Sequence, residues 1–156
     1  MGLLTPLAVR IGAIPWMPKL LPQIVWCDRR LHRLSGGRLT VLDLAGLPNL
    51  NLTVVGRKSG TPRTTPLLCA PDGEGWLIAG SYFGGPKEPS WVANLRVAGQ
   101  AEVDADNVRT TVTAHELEGP DRDRAWLVLV DVWPNFTRYE QRTHRRIPVF
   151  ELRRLP

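Results

Sequence analysis

A chain of 156 residues, 43% hydrophobic and 22% charged, has the make-up of one globular domain with a real core and leaves little room for a second. Its 14 glycines and 14 prolines argue for many short elements joined by turns and against an all-helical bundle. A formal net charge of +5 and a pI ≈ 9.9 admit three kinds of acidic partner: nucleic acid, an anionic membrane surface or a polyanionic cofactor.

From Met1 to Trp26 only Arg10 and Lys19 are charged, yet the run does not read as a membrane span. Two cations and Pro15, Pro18 and Pro22 interrupt it, whereas a spanning helix needs roughly 20 consecutive apolar residues. Nor does it read as a signal peptide, since Arg10 comes late and no small-residue cleavage site follows, so the segment is expected to be retained. After Pro22, Ile24, Val25, Leu31 and Leu34 recur at helical spacing while Asp28, Arg29, Arg30, His32 and Arg33 fill the other positions, up to Gly36-Gly37. Two readings stand. The helix packs on the domain with its basic face in water, or, with Trp16 and Trp26, it lies on an anionic bilayer. The expected organisation is an amino-terminal arm with a basic amphipathic helix over 1–38, then a barrel domain over 39–156.

Leu39 to Leu44 alternates in part and suggests a strand. Leu50 to Val55 is a clearer one, and Thr65 to Ala70 returns as its partner beyond a glycine-bracketed turn. Pro71 to Gly75 reads as a turn, so Trp76 to Gly80 runs back antiparallel. Ser81 to Pro89 has no period and reads as a pocket-shaping loop, after which Ser90 is placed to cap a short helix. Ala101 to Ala105 and Val108 to Leu117 form a hairpin over Asp106-Asn107. A helix follows from Gly119-Pro120, a second helical piece from Asn135 to His144, and a last strand from Ile147 to Leu152. The sum is an α+β fold, mainly β: a small barrel with flanking helices. No GxGxxG fingerprint supports a Rossmann domain.

Cys27 and Cys69 suggest no disulfide framework, and a reducing, cytoplasmic location is expected. His32, His115 and His144 are scattered without a second ligand type at metal-binding spacing, so no metal is expected. Cations do not alternate with aromatics along the strands, which argues against a nucleic-acid partner.

The densest chemistry lies at Gly56-Arg57-Lys58-Ser59-Gly60, followed by Thr61-Pro62-Arg63. Glycines permit a positive φ that turns backbone N–H groups to one side, and the cations grip phosphate or carboxylate oxygens, so the turn is a seat for an anion. Downstream come Ala79-Gly80-Ser81, Gly84-Gly85, Pro89-Ser90-Trp91-Val92-Ala93-Asn94-Leu95, and Tyr139 with Arg142-Thr143 and Arg146-Ile147-Pro148. In this order and spacing, from about Leu52 to Leu152, the chain resembles the deazaflavin (F420)-dependent nitroreductase and quinone reductase family.

That resemblance implies a split β-barrel of the FMN-binding type and coenzyme F420 as cofactor, with FMN second. It implies that the phosphate and glutamate tail of F420 lies on Arg57, Lys58, Ser59 and Arg63. The ring would lie against Thr65, Pro66, Leu67, Ala79, Gly80 and Ser81, closed off by Trp91 and Asn94. Tyr139 would meet the acceptor oxygen or give a proton, with Ser81 polarising it, while Tyr82, Phe83, Trp133 and Phe136 form the acceptor's walls. Structural alternatives remain for three of these: Trp91 as a core anchor, Asn94 as a cap for a nearby loop, Tyr139 as a packing residue. Relatives carry tyrosines where Trp133 and Phe136 stand, and the loss of two hydroxyls favours a flat quinone-like acceptor over a nitroimidazole. The expectation is hydride transfer from reduced F420 to a quinone-like or other conjugated acceptor, nitroaromatics included; the alternative is a carrier of F420, FMN or lipid without turnover.

Overall fold

The structure, a computed structural model, describes residues 5–36 and 41–156. Six antiparallel strands form a closed ring: β1 (Asn49–Val55), β2 (Pro62–Asp72), β3 (Gly75–Ala79), β4 (Gln100–Ala105), β5 (Val108–Glu116) and β6 (Val149–Arg154), in the order β1-β2-β3-β6-β5-β4. In β1, Leu50, Leu52 and Val54 point inward, and Asn49, Asn51 and Thr53 between them are half-buried, the period of two that a pleated strand imposes. The β4–β5 turn is the two-residue kind that matches strand twist, with Asp106 and Asn107 both at positive φ (52° and 62°). Two pairings between strands distant in sequence close the ring: Leu52 opposite Val103, and Ile78 opposite Phe150.

The barrel interior holds Leu52, Ile78, Val103, Val112, Phe150 and Leu152. One helix, α4 (Ser90–Ala98), plugs it with Trp91, Val92 and Leu95, and the Trp91 ring lies 5.9 Å from that of Phe150. Pro89, not Ser90, stands at the cap of α4. Its ring fixes φ at −59° with ψ at 144°, which already sets the entry angle, so Ser90 becomes the first helical residue. Each large aliphatic side chain fully buried this way contributes roughly 1.5–3 kcal/mol.

Outside the barrel, α5 (Gly119–Val132) and α6 (Asn135–Arg142) cover a second cluster that includes Leu77, Trp126, Leu129, Trp133, Phe136, Tyr139 and Ile147. Adjacent Leu77 and Ile78 are both 0% exposed because one faces these helices and the other the barrel. A strand covered on both faces reads as a continuous apolar run.

The amino-terminal arm consists of α1 (Thr5–Gly12), a 3-10 turn at Met17–Leu20, α2 (Leu21–Leu34) and a helical turn, α3 (Val41–Leu44). The strand expected over 39–44 is corrected here: residues 41–44 are helical, while 39, 40 and the expected division at 38/39 lie outside the described residues. The closed ring has no edge to accept another strand. Instead Leu42 and Ala45 pack on the outer cluster, and Asn49 Nδ2 donates to Asp43 Oδ1 at 2.6 Å. The arm is tied to α6, since Asn135 Nδ2 donates to the Val9 carbonyl (2.6 Å) and Arg142 Nη2 to that of Ala13 (2.5 Å). In α2, Trp26 is 58% exposed with the Arg30 guanidinium 4.9 Å above its ring. Among the described residues, no helix is long and apolar enough to cross a membrane.

Candidate functional site

The turn between β1 and β2 is closed by its own backbone. The Gly56 N–H donates to the Thr61 carbonyl (2.9 Å) and the Gly60 N–H to that of Gly56 (2.8 Å), with Gly60 at φ 67°. A Cβ on Gly56 would meet Ser59 Oγ at 2.5 Å and Arg63 Nε at 3.8 Å, so the turn and the start of β2 converge on this glycine. Arg57, Lys58, Ser59 and Arg63 are all exposed. Asn94, buried in α4, accepts from both the Arg57 backbone N–H and its Nη1 through one oxygen, each at 3.1 Å. A long flexible cation is thereby given one orientation before any anion arrives.

From Arg63, β2 runs to Thr65, Pro66 and Leu67, all half-buried. With Cys69 opposite Ile78, these residues and Ala79–Ser81 lie toward the same end of the β2–β3 pair. At about 3.3 Å per residue along β2, the exposed Arg63 thus stands about 13 Å from half-buried Leu67.

Gly80 is where β3 leaves the barrel. Its N–H donates to the Pro148 carbonyl (2.9 Å), and a Cβ there would meet Val92 Cγ2 at 2.6 Å and Pro148 Cγ at 2.8 Å. Beyond it, the loop turns through a single 3-10 turn with Tyr82 and Phe83 both at positive φ (47° and 55°). For bulky side chains this backbone is unfavourable and must be held by its surroundings. Gly84, at φ 78°, lies so close to α6 that a Cβ would fall 2.5 Å from the Tyr139 carbonyl oxygen. Ser81 is half-buried and Tyr82 is 43% exposed.

Tyr139 is 2% exposed and sits in the outer cluster. Trp133 Nε1 donates to its hydroxyl oxygen at 3.3 Å, and its ring meets Phe83 (5.6 Å) and Phe136 (6.1 Å) edge to face. The Arg142 guanidinium carbon lies 5.5 Å from the ring centroid. Burial pushes the phenol above its ordinary 10.0, partly offset by the Trp133 hydrogen bond and the Arg142 charge, so the hydroxyl keeps its proton.

The predicted residues thus fall into three groups. Arg57, Lys58, Ser59, Arg63 and Asn94 come together at the turn, and Thr65, Pro66, Leu67, Ala79, Gly80 and Ser81 at the neighbouring end of β2 and β3. Phe83, Trp133, Phe136 and Tyr139 form one aromatic cluster beneath the loop, with Tyr82 on the exposed side. Trp91 stands apart, packed into the barrel. Sequence reading passed over Arg145. Its Nε, Nη1 and Nη2 donate to the carbonyls of Gly85 (3.0 Å), Gly80 (3.0 Å) and Ser81 (2.8 Å). The density of cations between α6 and β6 was the one available signal.

Comparison with known proteins bears on the family and the fold. The family model described as F420H(2)-dependent quinone reductase matches residues 26–153. An F420H(2)-dependent quinone reductase of Mycobacterium tuberculosis is 35% identical over 135 residues, 85% of this chain and 91% of that relative. The solved structure of an F420-H2 dependent reductase, FDR-A, superposes with a TM-score of 0.63 at 33% identity, over 67% of this chain and 93% of that one. A structure described as a domain-swapped dimer superposes at 0.66 with 28% identity, over 82% of this chain and 97% of that one. A mainly β barrel carrying this turn, this loop and this degree of identity to such relatives belongs to the F420H(2)-dependent quinone reductase family.

Proposed function

We propose that this chain binds reduced F420 and passes its hydride to a quinone-like or similarly conjugated acceptor. The observation that carries the reading is the exposed cation set Arg57, Lys58 and Arg63, with Arg57 oriented by buried Asn94. Their donors suit a polyanionic tail. A phosphate and several carboxylates spread over a turn and strand find several charge-assisted partners, and contacts at the tail orient the ring before chemistry. Thr65, Pro66, Leu67, Ala79, Gly80 and Ser81 would floor the ring, and Trp91 would back this wall from the barrel side.

When bound, the cofactor supplies a hydride, two electrons and one proton; a quinone that accepts it takes one further proton to become a hydroquinone. Ser81, half-buried at the head of the loop, is assigned to the acceptor oxygen, and Tyr139, held protonated by burial, to the proton. Tyr82 and Phe83 would border the acceptor, backed by Trp133 and Phe136. The test is titration of the protein with F420 and with FMN, followed by oxidation of reduced F420 in the presence of menadione. Tight F420 binding with turnover is the expected result. F420 binding without turnover makes the chain a carrier, and preferential FMN binding removes the proposal.

A second reading, peripheral contact with an anionic membrane from the cytoplasmic side, is favoured by the arm. Trp16, Trp26, Leu7, Ile11 and Leu34 are exposed there together with Arg30 and Arg33. Aromatic rings bury at headgroup level, and each nearby cation adds about 1 kcal/mol of attraction to anionic lipid. Deleting the arm would also remove the Val9 and Ala13 carbonyls that Asn135 and Arg142 use, so substitution is the cleaner test. The expected outcome is that Trp16→Ala/Trp26→Ala lowers sedimentation with phosphatidylserine vesicles at low salt without changing F420 affinity. Wild-type protein that ignores such vesicles would leave the arm a structural element.

A further inference from the structure

We infer that Arg145 is a positioning residue for the hydride-transfer site, acting through the backbone of residues 80–85; the inference rests on the reductase reading above. One guanidinium gathers three carbonyls of this segment, Gly80, Ser81 and Gly85. These lie on both sides of the two residues whose backbone is least favourable, Tyr82 and Phe83. A left-handed conformation at two successive bulky residues persists only when its surroundings over-determine it, and the planar fork of arginine supplies three directed hydrogen bonds at once.

The other restraints on the loop are its own turn bonds, Gly84 N–H to the Ser81 carbonyl and Gly85 N–H to that of Tyr82, the Phe83 ring against Tyr139, and the close contacts of two glycines. Gly80 is tied to Pro148, and Gly84 rests on the α6 backbone. Arg145 alone among these spans the segment. The three bonds hold Ser81, assigned to the acceptor, together with Tyr82 and Phe83 at its border. The cation turn lies at the start of β2, several residues along the strand from the stretch beside Gly80, and takes no part in the guanidinium's hydrogen bonds. The tail's cations and the acceptor border therefore depend on different residues; Arg145 serves the border and the Gly80–Ser81 part of the ring floor, and leaves the tail contacts, which would carry most of the cofactor affinity, untouched.

Lysine is not an equivalent here. An ammonium keeps the charge but cannot present three donors in one plane. Burial lowers the Arg145 pKa from its usual value, but an arginine stays charged over the whole working range, so its influence is geometric and not a titration.

The test uses the full-length Arg145→Gln and Arg145→Lys variants. In Arg145→Gln the amides of Gly84 and Gly85, bonded to the Ser81 and Tyr82 carbonyls within the loop, and of Gly80, bonded to Pro148, are expected to exchange at least tenfold faster, with β1 and β6 unchanged. F420 affinity should fall no more than threefold, while kcat/KM with menadione falls tenfold or more, chiefly in kcat, and Arg145→Lys should lie between wild type and Arg145→Gln. If Arg145→Gln does not fold, Arg145→Lys carries the same readouts. Unchanged exchange at these glycines, or equal acceleration throughout the barrel, would overturn the inference. Wild-type protein that binds F420 but never turns over would instead sink the reductase reading alone, because the exchange rates judge the loop without turnover.

Discussion

The cationic turn and the aromatic cluster under the loop are built in opposite ways. The turn is assembled from a few contiguous residues on a single hairpin, is exposed, and needs only one distant partner, Asn94. The cluster is assembled from the loop after β3, from α5 and α6, and from the amino-terminal arm, with almost every ring buried. A site that holds a charged tail in water can be local, since its strength comes from charge. A wall that keeps water out has to be drawn from elements far apart in the chain.

The contrast predicts where damage spreads. Tyr139→Ala should have the largest effect, costing about 3–5 kcal/mol of stability as it leaves a cavity against Phe83, Phe136 and Trp133. Denaturant unfolding measures it. A loss under 1 kcal/mol would mean the cluster is loosely packed and the contrast false. At the turn, Lys58→Ala or Arg63→Ala should each weaken F420 binding by about 1–3 kcal/mol with no change in midpoint of unfolding, and the loss should shrink as salt rises. Fluorescence titration at two ionic strengths decides this.

Tyr139→Phe sharpens the comparison within the cluster. It removes the acceptor of the Trp133 N–H and should cost about 1 kcal/mol of stability while lowering kcat more than F420 affinity. Full turnover in this variant would leave the hydroxyl a packing feature. With Tyr139 held protonated, the wild-type kcat should also show no loss from this group as pH approaches 10.0.

The smallest effect near neutrality comes from Cys69 in the barrel wall. Burial, with Asp106 adding to it, pushes its thiol from 9.0 up to about 12. An unfolded chain releases that proton above pH 9.0 and the folded one holds it until about 12, so stability is intact below pH 9.0 and falls through this window. The fall is at most about 1.4 kcal/mol per pH unit. Cys69→Ala should flatten the alkaline limb of a Tm against pH curve, and an unaltered limb would assign it to other groups.

Sequence made the hairpins legible because their signals are local: alternation in Leu50 to Val54, glycines at the first turn, Asp106-Asn107 at the last. The cationic turn was legible for the same reason, since Arg57, Lys58 and Arg63 stand within one hairpin. Sequence did not disclose that Arg145 reaches Gly80, 65 residues away, since no periodicity marks a side chain that bonds to distant carbonyls. The resemblance assigned Tyr139 to the acceptor, with a packing role as the alternative, and its contacts with Phe83 on the loop and Trp133 at the end of α5 follow from tertiary packing. The misread strand at 39–44 has a different cause. Short apolar runs do not distinguish a strand from a helical turn, and the barrel had no vacant edge to decide it.

Ring closure has a consequence for how the chain acquires its shape. Both β3 and β5 pair with β6, the last strand, so the sheet stays an open ribbon with two unsatisfied edges until Val149–Arg154 joins. The cationic hairpin and the β4–β5 hairpin involve near neighbours and can form early, whereas the ring waits on a contact of long sequence separation. During synthesis the cationic turn is therefore available before the ring that carries it. A chain cut short before Val149 would present two bare strand edges, the template on which copies associate, and should accumulate as aggregate.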